Sequence, residues 1–347
     1  MMIQRKRILY TILVCSPVVL YGQQGWRTAL RVQTGYERDS NVAEAVDHGR
    51  SAEDLRLLVE FKAQRRGLSF SYQGGYQFYP SLSSENKMAH EAVVSALWPL
   101  AAQVLVGAQL WTRFKLFLNS DQDLACGFLQ PYALWRLNDR ASLQLGFRQD
   151  ALDYAHSDYF DFAGPGLNLQ LRYKMNPQWT LIPMLSWQRS VFQRYAYSQF
   201  EGTKSLLPLA DRQKDGLITA GLQSEWMYRS LLLNLFYRFE NNHSNSYGYA
   251  FSRHVITAMF AQQWRAWFFR GYFSRQMKEY GDALRPYLPI SLDTEQEENN
   301  FIVLDVSRDL LSRLSLVGRV AWYENESPWA DLYYRKTLLQ VFFEWRM

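Results

Sequence analysis

Cysteine is nearly absent: the 347 residues contain two, Cys15 and Cys126. Cys15 lies in a segment with the three-part make-up of a secretory leader. Arg5, Lys6 and Arg7 come first, then an uncharged apolar stretch over 8–21, then Gly22-Gln23. We read 1–22 as a cleaved signal peptide and 23–347 as one domain. Val14 before Cys15 fits a lipoprotein signal poorly, so no lipid is expected there. Cys126 is then left alone, which excludes an intramolecular disulfide even in an oxidising compartment. Long apolar runs are missing as well. Beyond the leader no stretch approaches about eighteen uncharged apolar residues, which excludes helical membrane spans. No blade-length repeat appears, which argues against a soluble propeller or solenoid. A strong charge of one sign is also lacking: the formal +5 falls to +2 without the leader's three cations, and no nucleic-acid partner is expected.

Aromatic residues are plentiful. Trp 12, Tyr 22 and Phe 21 make up 16% of the chain, and 48% of it is hydrophobic. Apolar residues in such number, without an apolar block, must be dispersed, and here they alternate. Trp26, Thr28, Leu30, Val32, Thr34 and Tyr36 share one parity, opposite Arg27, Arg31, Gln33 and Gly35. Leu55, Leu57, Val59, Phe61 and Ala63 likewise oppose Arg56, Glu60, Lys62 and Gln64. A strand sends alternate side chains to opposite faces, so one face meets lipid and the other water. In a bilayer only a helix or a closed barrel satisfies every backbone polar group. The sequence therefore implies an all-β fold: a transmembrane antiparallel up-and-down β-barrel.

The alternation predicts about sixteen strands, with fourteen to eighteen as the range. They fall near 26–37, 54–65, 68–80, 89–98, 102–118, 124–137, 141–150, 162–175, 179–194, 215–228, 231–241, 250–264, 267–280, 299–308, 313–324 and 332–347. Short connections alternate with long ones. Turn chemistry marks the short ones, as in Asn138-Asp139-Arg140 and Asn176-Pro177-Gln178. The long ones span 38–53, 81–88, 119–123, 151–161, 195–214, 242–249, 281–298 and 325–331. This split predicts periplasmic turns, extracellular loops and both termini in the periplasm. Trp26, Trp98, Trp135, Trp179, Trp226, Tyr228, Trp264, Trp267 and Trp345 lie beside the short turns or the chain ends. Tyr36, Phe78, Trp187, Phe239, Trp322 and Tyr333 lie near the long loops, so two interfacial girdles are expected.

Leu338-Leu339-Gln340-Val341-Phe342-Phe343-Glu344-Trp345-Arg346-Met347 resembles the closing strand of bacterial outer-membrane β-barrel proteins. The resemblance implies that Val341, Phe343, Trp345 and Met347 form the signal read by the barrel-assembly machinery, with Met347 where an aromatic is usual. Gly35-Tyr36-Glu37-Arg38-Asp39-Ser40-Asn41-Val42 resembles the first hairpin of uncharacterised porin-like barrels, with an extra Glu-Arg. Glu240-Asn241-Asn242-His243-Ser244-Asn245-Ser246-Tyr247-Gly248-Tyr249 is similar to a later loop of such barrels. These likenesses imply an outer-membrane location, with lipid and lipopolysaccharide as surroundings.

Candidate chemistry is sparse. His243-Ser244-Asn245-Ser246 sets hydrolase residue types side by side. A nucleophile, a base and an orienting group must converge in space, and neighbours on one loop rarely do. Asp150, Asp153, His156, Asp158 and Asp161 crowd one loop, and Asp293, Glu295, Glu297 and Glu298 another. Both read as solvated loops, with a divalent ion or ion-bridged lipopolysaccharide as the functional option. His48, His90 and His254 show no metal-ligand spacing, and Gly164-Pro165-Gly166 reads as a bend. No catalytic residue, cofactor or metal site is assigned.

The polar parity is richer. It carries Arg27, Arg31, Arg56, Lys62, Arg113, Lys115, Arg148, Arg172, Lys174, Arg238, Arg270 and Arg319, and fewer acids: Glu60, Asp150, Glu240, Asp305 and Glu344. As lumen-lining groups they favour anions; as partners of carboxylates they only solvate the interior. The sequence leaves these two readings level. The leading expectation is a passive porin-like channel for small hydrophilic solutes, preferring anions, with 195–214 and 281–298 long enough to fold inward. The alternatives are a barrel acting with envelope partners in polysaccharide or lipoprotein export or assembly, and, third, an outer-membrane hydrolase. The sequence does not set the oligomeric state.

Overall fold

The structure, a computed structural model, describes residues 25–42, 50–120, 123–199, 206–282, 300–324 and 334–347. The strands are β1 (Arg27–Asp39), β2 (Ala52–Arg65), β3 (Leu68–Phe78), β4 (Lys87–Ala101), β5 (Val104–Phe117), β6 (Leu124–Arg136), β7 (Ala141–Tyr154) and β8 (Phe162–Asn176). Then follow β9 (Trp179–Gln199), β10 (Leu206–Tyr228), β11 (Leu231–Ser244), β12 (Phe251–Trp264), β13 (Trp267–Tyr280), β14 (Asn300–Leu311), β15 (Leu314–Glu324) and β16 (Arg335–Arg346). Each pairs antiparallel with the next, and β16 returns to β1, closing the barrel. Closure leaves no unpaired edge, as a bilayer requires. None of the described helices is long and apolar enough to cross a membrane.

The seam between β16 and β1 runs from Arg31 opposite Arg346 to Asp39 opposite Leu338. Met347 extends it, donating its amide to the Leu30 carbonyl (2.8 Å) and accepting from the Leu30 amide (2.9 Å). The Gly35-to-Val42 phrase fastens its other end. The Asp39 carboxylate accepts from the Asn41 amide (2.8 Å), and the Asn41 side chain donates to the Arg335 carbonyl (3.2 Å). Ser40 and Thr337 exchange two further bonds. Gly35 is required here because a Cβ on it would collide with the Val341 carbonyl and the Phe342 ring.

Turn chemistry acts as the sequence implies. Asn138 accepts from the amides of Arg140 and Ala141, and Asn176 from those of Gln178 and Trp179. Three two-residue hairpins place arginine in the left-handed region, at Arg66, Arg229 and Arg265, the conformation that matches the strand twist. The segment 195–214 departs from expectation. β9 and β10 continue through it as a paired ribbon to Gln199 opposite Leu206, with register shifts between Pro208 and Lys214. One face of the ribbon is buried, with Arg194, Ala196 and Gln213 on it, but that face is polar and small rather than apolar, so the sequence alternation fades there while Tyr195 and Tyr197 still favour strand. β11 likewise runs on to Ser244, which takes His243 and Ser244 out of the expected loop.

The two parities separate cleanly. Leu339, Val341, Phe343, Trp345 and Met347 are exposed, whereas Leu338, Gln340, Phe342 and Glu344 between them are buried. Strands all round the barrel repeat this, so the exposed apolar parity faces outward and the polar parity inward. The outward aromatics at the short-turn end include Trp98, Trp179, Tyr228, Trp264, Trp267 and Trp345, all exposed. Tyr36, Phe78, Trp187 and Trp322 occupy the other end; Tyr333 lies outside the described residues. Two girdles thus flank an apolar band.

Candidate functional site: the interior wall

The wall begins with acids on the inward parity. Glu37, Asp54, Glu240, Asp305 and Glu344 are all nearly or fully buried. A carboxylate in that position must keep charged partners, because stripping it of water without compensation is costly. Asp305 on β14 is clamped between Arg319 of β15 (2.6 Å) and Arg270 of β13 (2.9 Å). Glu240 meets Arg238 (2.9 Å) and Arg253 (2.5 Å), with Gln276 accepting from Arg253 at 3.3 Å. Glu344 takes Arg346 (2.6 Å), Arg31 (3.4 Å) and the Gln33 amide (2.5 Å). Glu60 binds Arg31 and Lys62, and Glu37 binds Arg56 (3.1 Å) and the Gln340 amide. Arg148 grips Asp150 through two nitrogens, and Arg172 pairs with Glu225 at 2.5 Å.

Of the twelve cations singled out in the sequence, the structure therefore gives a carboxylate partner to Arg31, Arg56, Lys62, Arg148, Arg172, Arg238, Arg270 and Arg319. Arg113 and Lys115 project from the same face of β5, Lys115 over the Phe117 ring (4.6 Å). Arg27 and Lys174 stand at the short-turn end and form no ion pair among the described residues. Sequence reasoning missed Lys87, Arg194, Arg253 and Arg346, all on the inward parity. Counting parity outward from Gln340 and Thr257 would have found Arg346 and Arg253. Arg194 is the last residue of its expected strand, 179–194, and Lys87 lies before the expected start of its own, 89–98.

Several of the pairs are tilted in one sense. The acid lies against the wall and the cation stands above it: Asp305 has a side-chain exposure of 2% against 31% for Arg319, and Glu37 2% against 26% for Arg56. Even a neutral pair therefore presents guanidinium to the interior.

Packing of the inward face is uneven. On β14–β16 most inward positions are buried, and Val303, Ala321 and Leu338 form an apolar cluster with Tyr272, Phe301 and Tyr323 against it. On β3–β6 they are mostly half-buried. There a recess of about 600 Å³, measured out to its open mouth, sits between β2 and β5. Gly75 and Ala89 make its floor; Arg56, Lys87 and Arg113, the Gln73 and Gln77 amides and Glu91 line it. Beyond it Trp111 stacks on Phe128 (5.6 Å), and the Arg148 guanidinium lies 3.9 Å from the Phe128 ring centre.

The remaining candidates are occupied structurally. Ser246 accepts from the Tyr197 amide (3.0 Å), and Ser244 from the Ser246 amide (3.1 Å). Asn245 clips Lys214 and Arg212, while His243 is exposed on the outward parity. Asp161 accepts from the Tyr154 amide (2.7 Å); burial, then the charges of Asp153 and Asp158, raise its carboxyl to about 6. His156 lies 4.0 Å from Asp123. Among the described residues no group of three ligands could hold a metal. Asp293, Glu295, Glu297, Glu298 and His48 lie outside the described residues, as does the 1–22 leader. His90 and His254 face outward, each bonded to a tyrosine at 2.8 Å, Tyr72 and Tyr237 respectively.

No family model matches the chain, and no curated protein does. Solved structures with a similar fold include OccAB3 of Acinetobacter baumannii (10% identity, 93% of this chain and 99% of that one, TM-score 0.46). Another is the outer membrane protein opdK from Pseudomonas aeruginosa (10% identity, 93% and 99%, TM-score 0.47). A third is titled bacterial polysaccharide outer membrane secretin (10% identity, 92% and 98%, TM-score 0.45). What identifies the class is the barrel itself: closed, sixteen-stranded, apolar outside and charged inside, the chain is an outer-membrane-type β-barrel of porin-like architecture.

Proposed function

We propose that the barrel is a passive outer-membrane channel for small hydrophilic solutes, with a preference for anions. A barrel of sixteen strands is wide enough for an aqueous path. The observation that carries the preference is the tilt of the interior pairs: carboxylates lie buried against the wall and guanidinium groups cover them. Fixed positive dipoles at a water-filled wall lower the barrier for anions and raise it for cations. The recess between β2 and β5, with Arg56, Lys87 and Arg113, is the part of the wall best suited to pause a small anion. In the same reading 1–22 exports the chain, and Val341, Phe343, Trp345 and Met347 present the closing strand to the assembly machinery. All four are exposed on the outward face, where a partner strand or chaperone reaches them. Lipid and lipopolysaccharide then surround the apolar band.

Liposomes carrying the purified, folded protein should swell in small neutral sugars and conduct ions in planar bilayers. Tight, non-conducting membranes from protein that shows the heat-modifiable mobility of a folded barrel would overturn the channel reading and favour a barrel that works through envelope partners.

A further inference from the structure

The outward face is apolar along the bilayer band, so a cation standing on it needs a reason. Arg308 on β14 is one: it is exposed, outward, and in register between Trp267 of β13 and Leu316 of β15. Its guanidinium lies 5.3 Å from the Trp267 ring centre. The adjoining hairpin turn, Trp264-Arg265-Ala266-Trp267, places Arg265 in the left-handed region with its guanidinium 5.4 Å from Trp264. Neither arginine has a carboxylate partner among the described residues. The nearest acid in sequence, Asp309, has the opposite parity; it accepts from the Ser315 hydroxyl (2.6 Å) and pairs with Arg346 (3.5 Å). At the other end of β13 the outward Arg275 is different, for Glu324 meets it at 3.6 Å.

We infer that Arg265 and Arg308, framed by Trp264 and Trp267, bind the phosphate of an anionic glycerophospholipid in the leaflet at the short-turn end. The indoles set the depth, since such rings settle at the headgroup level. Guanidinium groups suit a phosphodiester because their planar fork donates two parallel hydrogen bonds. Two cations without a carboxylate partner among the described residues select a net negative headgroup over a zwitterionic one. Phe260, Leu304 and Val306 continue the outward face below and meet the acyl chains. The assignment does not depend on what passes through the barrel.

Native mass spectrometry of the detergent-purified full chain tests it, titrated with phosphatidylglycerol and with phosphatidylcholine. Phosphatidylglycerol should be retained severalfold better. The double variant R265Q/R308Q should lose that retention by about tenfold or more. R265K/R308K should keep most of it, and R140Q, at a turn whose arginine lies over no aromatic ring among the described residues, should leave it unchanged. All three variants sit at exposed positions, and heat-modifiability checks that they fold. Equal retention of the two lipids, or an unchanged R265Q/R308Q, would overturn the inference. So would complete displacement of the lipid by inorganic phosphate, because the acyl contacts would then contribute nothing.

Discussion

The interior wall has two sectors built from the same alternation but packed differently. On β14–β16, the side of the seam that ends in the closing strand, acids, arginines and apolar side chains interlock and leave most inward positions buried. Across β3–β6 the inward side chains are half-exposed, with small residues on the floor and cations on the rim. The difference teaches that an inward charge has no single meaning in a barrel. At the seam it holds the two ends of the sheet in register, and across β3–β6 it stands half-buried on a more open face.

The strongest way to break the comparison is at the seam. Gly35→Val puts a side chain where the Val341 carbonyl and Phe342 stand, and should abolish the heat-modifiable folded species on a gel. Next comes Asp305→Asn, which removes the acid between Arg270 and Arg319. Breaking a buried pair costs about 3–5 kcal/mol. The arginines here are a quarter to a third exposed, so the expected loss is about 1–3 kcal/mol in urea unfolding. The matched change next to the open sector, Asp150→Asn on β7 beside the more exposed Arg148, should cost under about 1 kcal/mol. Equal losses at the two sites would erase the distinction.

Lys115→Glu sharpens it from the other side. It should weaken anion preference clearly, and the lost contact with the Phe117 ring should cost about 1 kcal/mol of stability. The smallest effect concerns Asp161, in the loop that joins β7 to β8. Its carboxyl is raised to about 6 by burial and by neighbouring acids. The folded state therefore holds its proton more tightly than the unfolded state, and ionisation opposes folding. The strain is fully present above about pH 6 and is relieved as pH falls through 6 toward the ordinary aspartate range. Amide exchange around 154–161, corrected for intrinsic rate, should slow on that acidification, while exchange across the β16–β1 seam stays level.

Much of this was legible in the sequence because a barrel wall repeats a period of two. Strand number, the short and long connections and the girdles all follow from where Trp, Tyr and Arg fall in that period. The twelve inward cations could be chosen by parity, but their roles could not. Whether Arg319 faces solute or clamps Asp305 depends on register between strands, which alternation along one strand does not contain. The β9–β10 ribbon escaped for a related reason, since its buried face carries Arg194, Ala196 and Gln213, which do not stand out from the polar face in a hydrophobic alternation. Arg253 and Arg346 show that the signal was present but not carried far enough along β12 and β16.

The central claim is that buried acids beneath exposed arginines give a wall that favours anions. The direct measurement is the reversal potential of the reconstituted wild-type protein in a planar bilayer across a KCl gradient. The account predicts the sign set by chloride, shifting toward potassium in Lys115→Glu. A wild-type reversal potential of the sign set by potassium would contradict it.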